Sequence, residues 1–456
     1  MVDQPRVTIR ARHISALVLM LSVANLSAQS SEWDLSDFAK ARSSLGEHRL
    51  PADEVFHLEL ELRGAATGEK TQTLISSANE DWLLAADISG SWRWQAKAGN
   101  GSLSYAPTAA RQPLYDENWH TIGFSLHPAR REARFYFNEV HVATYSTNGM
   151  KLDFDQGLLL APALEGRGKT LRIHTGSTLP DRKTVETTTP EELKVMAWNI
   201  WHGGRENGDR IGVDQVIEII RESGADIVCM QETYGSGPRI ADALGYGFLL
   251  RSSNLSIMSR YPILESLDHF RPFNFGGALI QAGALQLRVY SLWIHYLPSL
   301  SAALAKSGCN EESLIAAEWT TRAEEMRQIL AAIQPALKNS DTQPVIIGGD
   351  FNSPSHLDWT AETANRPFHK GHVVKWPVSS LCAEDGLTDG FRAVHPDPVE
   401  APGITWSPRF GETMRIDYVF HRGSRLIPHA ARVIDSHTER FPSDHAAVLV
   451  TYRIVN

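Results

Sequence analysis

The first third of the chain alternates apolar and polar side chains with a period of two. In the segment VFHLELELR, residues 55–63, every second side chain is apolar, which is the pattern of a strand with one buried face. The segment ARFYFNEVHVATY predicts a β-hairpin that turns at Asn138 and Glu139. Because no long helical periodicity interrupts residues 33–178, the pattern predicts an all-β sandwich domain.

The pattern changes after a linker at 179–192, which is rich in Thr, Pro and charged residues. Uninterrupted apolar segments such as LKVMAWNI, ADIVCMQE and PVIIGGD predict buried strands. Between them, apolar positions spaced by three and four predict helices: one that Asp214 is expected to cap, and a longer one that carries Trp319. Residues 193–456 are therefore expected to form an α/β domain with buried sheets flanked by helices.

The N-terminus has the three parts of an export signal. A basic segment that ends at Arg12 precedes the short apolar run from Ile14 to Val23, and the small residue Ala28 offers a cleavage point. Residues 1–28 are therefore expected to be a signal peptide that directs the protein to a periplasmic or extracellular location. The alternative is an uncleaved N-terminal membrane anchor, although the run is short for a membrane span.

Charge and cysteine content narrow the possible partners. The formal net charge of −9 argues against a stable nucleic-acid partner held by a basic surface, but it does not exclude nucleic acid as a substrate. Of the three cysteines, Cys229 lies in a buried strand segment. Cys309 and Cys382 lie in loop-like segments, so a disulfide between them and two free thiols are both open.

Polar side chains at the ends of the predicted strands suggest a metal site, because strand ends are where α/β sheets build their sites. A hard divalent cation relieves the charge repulsion that slows attack of water on a phosphoester. Magnesium takes oxygen ligands and usually only one or two carboxylates. Glu232, in MQET, fits the main ligand role, and Asn199 and Asp444 would complete the shell.

The same set contains groups for proton transfer. Asp350 is expected to orient or deprotonate the attacking water, and Asn352, two residues on, shares its face in extended chain and would donate to a phosphoryl oxygen. His445 is expected to donate to a nonbridging oxygen, with Asp417 fixing its tautomer. His295 would be a second donor across the phosphate.

The C-terminal half resembles the endonuclease/exonuclease/phosphatase superfamily through the segments MAWNIW, MQET, NLSIMSRYPI, IHYLP, GGDFNSP, RIDYVF and SDHAAV. The resemblance implies a four-layer α/β sandwich, with two packed mixed sheets flanked by helices, and phosphoester hydrolysis with Mg²⁺ or Mn²⁺. It implies the roles given above for Asn199, Glu232, Asp350, Asn352, Asp417, Asp444 and His445. His295 matches a His that some branches of the superfamily carry.

The substrate stays open at this point between nucleic acid, a phospholipid head group and a sugar phosphate. Residues 116–145 resemble the laminin-G and concanavalin-like jelly rolls, which implies a possible glycan ligand for the first domain; a spacer or a lid packed on the enzyme is the alternative. A different class of function is a glycan-binding or adhesion protein whose C-terminal half is a catalytically idle scaffold.

Overall fold

The computed structural model describes residues 29–51, 53–64, 70–99, 101–148, 150, 157–176, 187–411 and 413–455. The predicted signal peptide and most of the predicted linker lie outside these residues, so the domain boundaries stay predictions. Within the described residues, no helix has the length and apolar character needed to cross a membrane.

Among the described residues, the N-terminal part is built from antiparallel strands and one α-helix, α1 (Phe38–Leu45). The strands are β1 (Gln29–Asp34), β2 (Phe56–Arg63), β3 (Gln72–Ser77), β4 (Trp82–Ala86), β5 (Trp92–Ala98), β6 (Gly101–Tyr105), β7 (Trp119–His127), β8 (Glu132–Phe137), β9 (Val140–Ser146), β10 (Leu158–Leu160) and β11 (Gly168–Thr175). They form two sheets with the orders β1-β11-β2-β7-β8-β9 and β10-β3-β4-β5-β6.

The core between these two sheets is aromatic. Phe124 packs edge-on against Phe56 and Trp82, with ring centroids 5.7 and 5.4 Å apart, and all three side chains are fully or almost fully buried. The predicted hairpin is confirmed: β8 and β9 are joined at Asn138 and Glu139, which both have positive φ, 48° and 68°. Two left-handed residues in succession match the right-handed twist of the flanking strands.

The C-terminal half contains twelve described strands and eight described helices. The strands are β12 (Glu192–Asn199), β13 (Ile227–Gln231), β14 (Gly247–Leu250), β15 (Ser256–Ser259), β16 (Ile263–Leu267), β17 (Phe275–Ala282), β18 (Leu285–Trp293), β19 (Val345–Asp350), β20 (Thr388–Asp389), β21 (Asp417–Arg422), β22 (Leu426–Ile434) and β23 (Ala447–Ile454). The helices are α2 (Trp201–Gly204), α3 (Ile211–Ser223), α4 (Gly237–Leu244), α5 (Leu300–Leu304), α6 (Glu311–Trp319), α7 (Arg322–Lys338), α8 (Pro377–Glu384) and α9 (Gly390–Val394).

These elements form the predicted four layers. One sheet has the order β14-β15-β13-β12-β23-β22 and the other β16-β17-β18-β19-β21-β20, and both mix parallel and antiparallel pairs. A buried apolar cluster that includes Val195, Cys229 and Ile346 lies between the sheets. Helix α3 packs on the outer face of the first sheet and α7 on that of the second. The α/β sandwich preceded by a β-sandwich is confirmed.

Two glycines allow close packing at the end of β19, one against the facing sheet and one against the neighbouring strand. A Cβ added to Gly348 would lie 2.9 Å from the Cβ and Sγ of Cys229 on the facing sheet. A Cβ added to Gly349 would lie 2.0 Å from the carbonyl oxygen of Leu292 on the neighbouring strand. The end of β19, which carries Asp350, is therefore packed too closely for any side chain at these two positions.

Two local predictions about helices are wrong. Trp319 does not belong to the long helix but ends α6, where it is 43% exposed, because the helix breaks before α7 begins at Arg322. Asp214 does not cap α3 but lies in its first turn, where it accepts a hydrogen bond from Arg239 at 2.7 Å. In both cases a tertiary contact or a chain break overrides the local pattern.

The disulfide between Cys309 and Cys382, which the sequence left open, is not formed, and all three cysteines are free. Cys382 lies on α8 instead of in a loop and is buried in the apolar cluster under α7. Cys309 is half-buried against a different cluster, around Trp359 and Trp376. The two thiols are thus parts of separate packing units.

The two domains share a sheet. Strand β9 of the N-terminal sandwich pairs in parallel with β14 of the α/β sandwich, with Phe248 opposite Ala143 and Leu250 opposite Tyr145. A single sheet of twelve described strands therefore runs through both domains, and the N-terminal sandwich is packed directly on the α/β half.

Candidate active site

The sheet register brings three of the predicted polar residues to one place. Asn199 ends β12 and Asp350 ends β19, on the two facing sheets, while Asp417 begins the antiparallel strand β21 directly opposite Asp350. The Nδ2 of Asn199 donates to Oδ2 of Asp350 and to Oε1 of Glu232, each at 3.2 Å. Asn199 thus links the two carboxylates across the gap between the sheets.

Glu232 follows β13 and is held in an unusual backbone conformation. Its φ of 55° lies in the left-handed region, which costs free energy for a residue with a side chain. Its Oε2 accepts the backbone N–H of His202 at 3.0 Å, and the carboxylate borders the cleft described below. The conformation points a partly exposed carboxylate into this cleft.

Asp444 lies beside this carboxylate. Its side chain is buried, and among the described residues its Oδ1 has no hydrogen-bond partner. Burial raises the pKa of Asp444, the neighbouring His445 lowers it, and Glu232 raises it further. An unpartnered buried carboxylate oxygen next to a second carboxylate and the Asn199 amide is an oxygen-donor set of the kind that a hard divalent cation takes.

His445 and two aspartates form a relay in which Asp417 is hydrogen-bonded to the ring and Asp350 lies at ion-pair distance from it. The Nδ1 of His445 lies 3.0 Å from Oδ2 of the fully buried Asp417, and its Nε2 lies 3.8 Å from Oδ2 of Asp350. Burial opposes the imidazolium, but Asp417 and Asp350 together raise the pKa of His445 above its usual range. Burial also raises the pKa of Asp350, against the lowering effect of His445.

The Asp350, Asp417 and His445 side chains have ligand atoms within 4.8 Å of one another, which is close enough for a metal ion to bridge them. Two features argue against this. One ring nitrogen of His445 is already bonded to Asp417, and all three side chains are at most 8% exposed, whereas magnesium usually keeps several waters. The geometry fits proton transfer better than metal binding.

Asn352 supports Asp350. Its backbone N–H donates to Oδ1 of Asp350 at 2.9 Å, and its Nδ2 donates to Oδ2 of Asp350 at 3.2 Å and to the carbonyl of Ile294 at 2.9 Å. Both amide hydrogens therefore have partners within the protein. In this arrangement Asn352 orients the Asp350 carboxylate, and its predicted bond to a phosphoryl oxygen stays a prediction.

His295 lies at the edge of the site. Its Nδ1 accepts the backbone N–H of Leu297 at 3.0 Å, and its ring stacks on Tyr296 with centroids 5.3 Å apart. It is not among the side chains that line the cleft. The structure thus places His295 next to the wall, and its role as a second phosphate donor stays a prediction.

The site opens into a cleft of about 470 Å³ whose walls the sequence did not indicate. Asn199, Glu232, Asp350, Asn352 and His445 belong to the polar part of its lining. Its walls are largely aromatic, and their rings come from Tyr234, Phe273, Trp293, Tyr296 and Trp406. Among the described residues, no Lys or Arg side chain lines it.

The lining also includes residues from the segment 297–318, an insertion after His295 that the sequence leads us to expect near the cleft. Ser299, Leu300 and Ser301, at the start of α5, border the cleft. Only the proximity of this segment to His295 in the chain offered a signal. Nothing in the sequence marked the aromatic residues as cleft residues, because a lone Trp or Tyr beside a strand is more often a core residue.

A four-layer α/β sandwich whose strand ends gather these carboxylates, amides and one paired histidine defines a phosphoester hydrolase. The profile of the Endonuclease/Exonuclease/phosphatase family matches residues 196–445, more than half of the sequence. The chain belongs to that family. All eight predicted site residues fall within the matched segment.

Comparisons with individual proteins give more distant similarities. An uncharacterized protein of Caenorhabditis elegans is 27% identical over 300 residues, which cover 59% of this chain and 93% of that protein. The crystal structure of truncated Caenorhabditis elegans TDP2 has 17% identity, covers 57% of this chain and 98% of its own, and gives a TM-score of 0.39. An AP endonuclease from Archaeoglobus fulgidus has 15% identity, coverage of 57% and 100%, and a TM-score of 0.40.

Proposed function

We propose that this protein is an exported phosphoester hydrolase that depends on a divalent cation, Mg²⁺ or Mn²⁺. The observation that carries the proposal is the convergence of two functional groups in one cleft. Glu232 lines the cleft with the Asp444 carboxylate close to it, and Asp350 and His445 line it too, with Asp417 bonded to His445.

Glu232, Asp444 and Asn199 are the residues that would hold the cation. When bound, a divalent cation withdraws charge from the phosphoryl oxygens and lowers the barrier to attack by water. The unpartnered Oδ1 of Asp444 and the exposed edge of the Glu232 carboxylate support this assignment. The His445 and Asp417 pair is left free for proton chemistry.

The remaining side chains handle the proton and the phosphate. Asp350, held by Asn199 and Asn352, is placed to accept a proton from water. His445, kept protonated by Asp417, donates to a nonbridging oxygen where negative charge builds up in the transition state. Removal of water from this buried relay strengthens both interactions.

The cleft favours a small or lipid-linked phosphoester as substrate. A protein that binds a nucleic-acid strand neutralises several phosphates with Lys and Arg, and no such side chain lines the described cleft. The aromatic walls offer contact area to an apolar or aromatic group attached to the phosphate. Nucleic acid is the second candidate, because aromatic rings also stack on unpaired bases.

A substrate screen tests the proposal. Bis-p-nitrophenyl phosphate, p-nitrophenyl phosphate, single-stranded DNA and sphingomyelin are each incubated with the full mature chain, with Mg²⁺ or with EDTA. We expect cleavage that EDTA abolishes, and a loss of about a hundredfold or more in Glu232→Gln. Asp341→Asn, an exposed carboxylate in the loop at the opposite end of β19, is the matched control and should keep full activity.

A negative screen would favour the alternative function. If no phosphoester is cleaved and a glycan array binds the chain, the protein is an adhesion protein with an idle C-terminal half. Export is tested separately by N-terminal sequencing of the protein expressed with its native leader. A mature chain that begins at Gln29 supports cleavage after Ala28; an intact N-terminus in the membrane fraction supports the anchor.

A further inference from the structure

One loop connects the N-terminal sandwich to Glu232. Strand β14, which pairs with β9 of the sandwich, leads into residues 251–255, here called the support loop. The carbonyl oxygens of Ser253 and Asn254 in this loop accept the backbone N–H groups of Tyr234 and Thr233, at 2.8 and 3.0 Å. The support loop therefore runs alongside the segment that directly follows β13 and carries Glu232.

The backbone of Glu232 is fixed by the same loop. Its N–H donates to Oδ1 of the fully buried Asn254 at 2.9 Å, and Nδ2 of Asn254 donates to the carbonyl of Phe273 at 2.9 Å. Glu232 has a φ of 55°, and a backbone in this region persists only where its surroundings hold it. The direction of the Glu232 carboxylate thus depends on the support loop.

The N-terminal sandwich anchors the start of the support loop. Nη1 of the buried Arg251 donates to Oγ of Ser146 at 2.9 Å and to Oδ1 of Asn148 at 2.6 Å. Nδ2 of Asn148 returns a bond to the carbonyl of Arg251 at 2.9 Å. Asp268, 3.1 Å from the guanidinium, supplies the opposite charge. A buried guanidinium is held firmly only while its partners are complete.

We propose that Asn148 and Ser146 are positioning residues for the metal-binding carboxylate of Glu232 and act through Arg251 and the support loop. The inference rests on the proposed function, since it takes Glu232 as a ligand. It makes the N-terminal sandwich a working part of the hydrolase instead of a separate binding module. Loss of either contact loosens the support loop and lowers the affinity of the site for a divalent cation.

Direct cation binding by the full mature chain tests this. Isothermal titration with Mn²⁺, without substrate, is compared between wild type and Asn148→Ala, with thermal unfolding recorded in parallel. We expect the dissociation constant to rise by about tenfold, as when an outer-shell partner of a metal ligand is lost. The matched control is Thr108→Ala, which removes a different contact between the domains, to Asp242, and should leave the constant unchanged.

The outcomes separate this inference from the proposed function. If the wild type binds Mn²⁺ and Asn148→Ala binds it as tightly as Thr108→Ala does, the inference is overturned while the proposed function stands. If the wild type binds no Mn²⁺ and EDTA leaves hydrolysis unchanged, the proposed function fails and the inference fails with it. If Asn148→Ala does not fold, the milder variant Ser146→Ala is measured instead. We expect a smaller rise in its Mn²⁺ dissociation constant, and an unchanged constant would contradict the inference.

Discussion

Replacing Asp417 by Asn removes the charge that keeps His445 protonated. Oδ2 of Asp417 lies 3.0 Å from Nδ1 of His445, and both side chains are buried. An opposite charge at this range raises a pKa by about 1–3 units, which corresponds to about 1.4–4 kcal/mol in favour of the imidazolium. The alkaline limb of the pH profile reports loss of that proton, so it should move to lower pH by about 1–3 units.

The acid limb should move in the same direction. Asp350 must be ionised to accept a proton, so activity rises as pH rises through its pKa. Burial raises that pKa, and Asp417 raises it further by like-charge repulsion. Without the Asp417 charge, Asp350 ionises at lower pH. Both limbs of the bell-shaped pH profile of activity therefore move to lower pH. A displacement of one limb alone would indicate that only one of the two groups senses Asp417.

The assay is the pH dependence of kcat between pH 5 and 10, with bis-p-nitrophenyl phosphate at saturating Mg²⁺. Asp242→Asn is the matched control, because it also replaces a buried carboxylate with an amide, but its printed hydrogen-bond partners are Thr108 and Gln112 of the N-terminal domain and not site residues. Its profile should keep the wild-type midpoints. If Asp417→Asn lowers kcat equally at every pH, the relay reasoning is refuted, since the loss would then be one of orientation alone.

Three further predictions concern packing, protonation and thiols. Gly349→Ala places a methyl group 2.0 Å from the Leu292 carbonyl and should lower the free energy of unfolding in urea by about 1–3 kcal/mol or more. Burial is the main cause that lowers the pKa values of His127 and His141 to about 3. In the unfolded chain these imidazoles bind protons below about pH 6.5. The free energy of unfolding should therefore fall by up to about 1.4 kcal/mol per pH unit for each His below that pH. Iodoacetamide should label the native protein at Cys309 alone.

Each of these has its own control. Gly46→Ala, at φ −58° with no contact closer than 3.6 Å, should be close to neutral. The double variant with Gln at positions 127 and 141 should flatten the pH dependence of stability below pH 6.5, and an unchanged slope would refute the assignment. Cys229 and Cys382, whose burial raises their thiol pKa values, should react only in urea; native labelling of either would contradict the packing.

The polar half of the site was predictable because strand ends obey a simple rule. Asn199, Glu232 and Asp350 each follow an uninterrupted apolar strand, and ends of adjacent or facing strands meet at one edge. The sequence therefore predicted that these side chains converge. It did not predict that Asn352 donates both amide hydrogens within the protein, to Ile294 and Asp350. Whether a side chain donates to the protein or to a substrate depends on distances of tenths of an ångström.

The apolar half of the site escaped prediction for a different reason. Trp293 and Tyr296 lie at the end of β18 and just after it, beside residues that are buried, and Tyr296 is 54% exposed. Aromatic residues near strand ends occur in cores and in clefts alike, and only the course of the 297–318 segment decides which. Trp319 shows the same limit in a helix, where correct spacing did not reveal the break before α7.

The shared sheet could not be predicted from either half, yet edge strands explain it. Without its partner, β14 would be the exposed edge of one catalytic sheet and β9 the exposed edge of the sandwich, and unpaired edges invite association with other chains. Parallel pairing of β9 with β14 covers both edges at once. Because the strand that closes this edge also leads into the loop that supports Glu232, protection of the sheet and alignment of the site depend on the same contact. The α/β half expressed alone would lose both the strand that covers the β14 edge and the support of Glu232. Its loss of activity and its aggregation should therefore appear together.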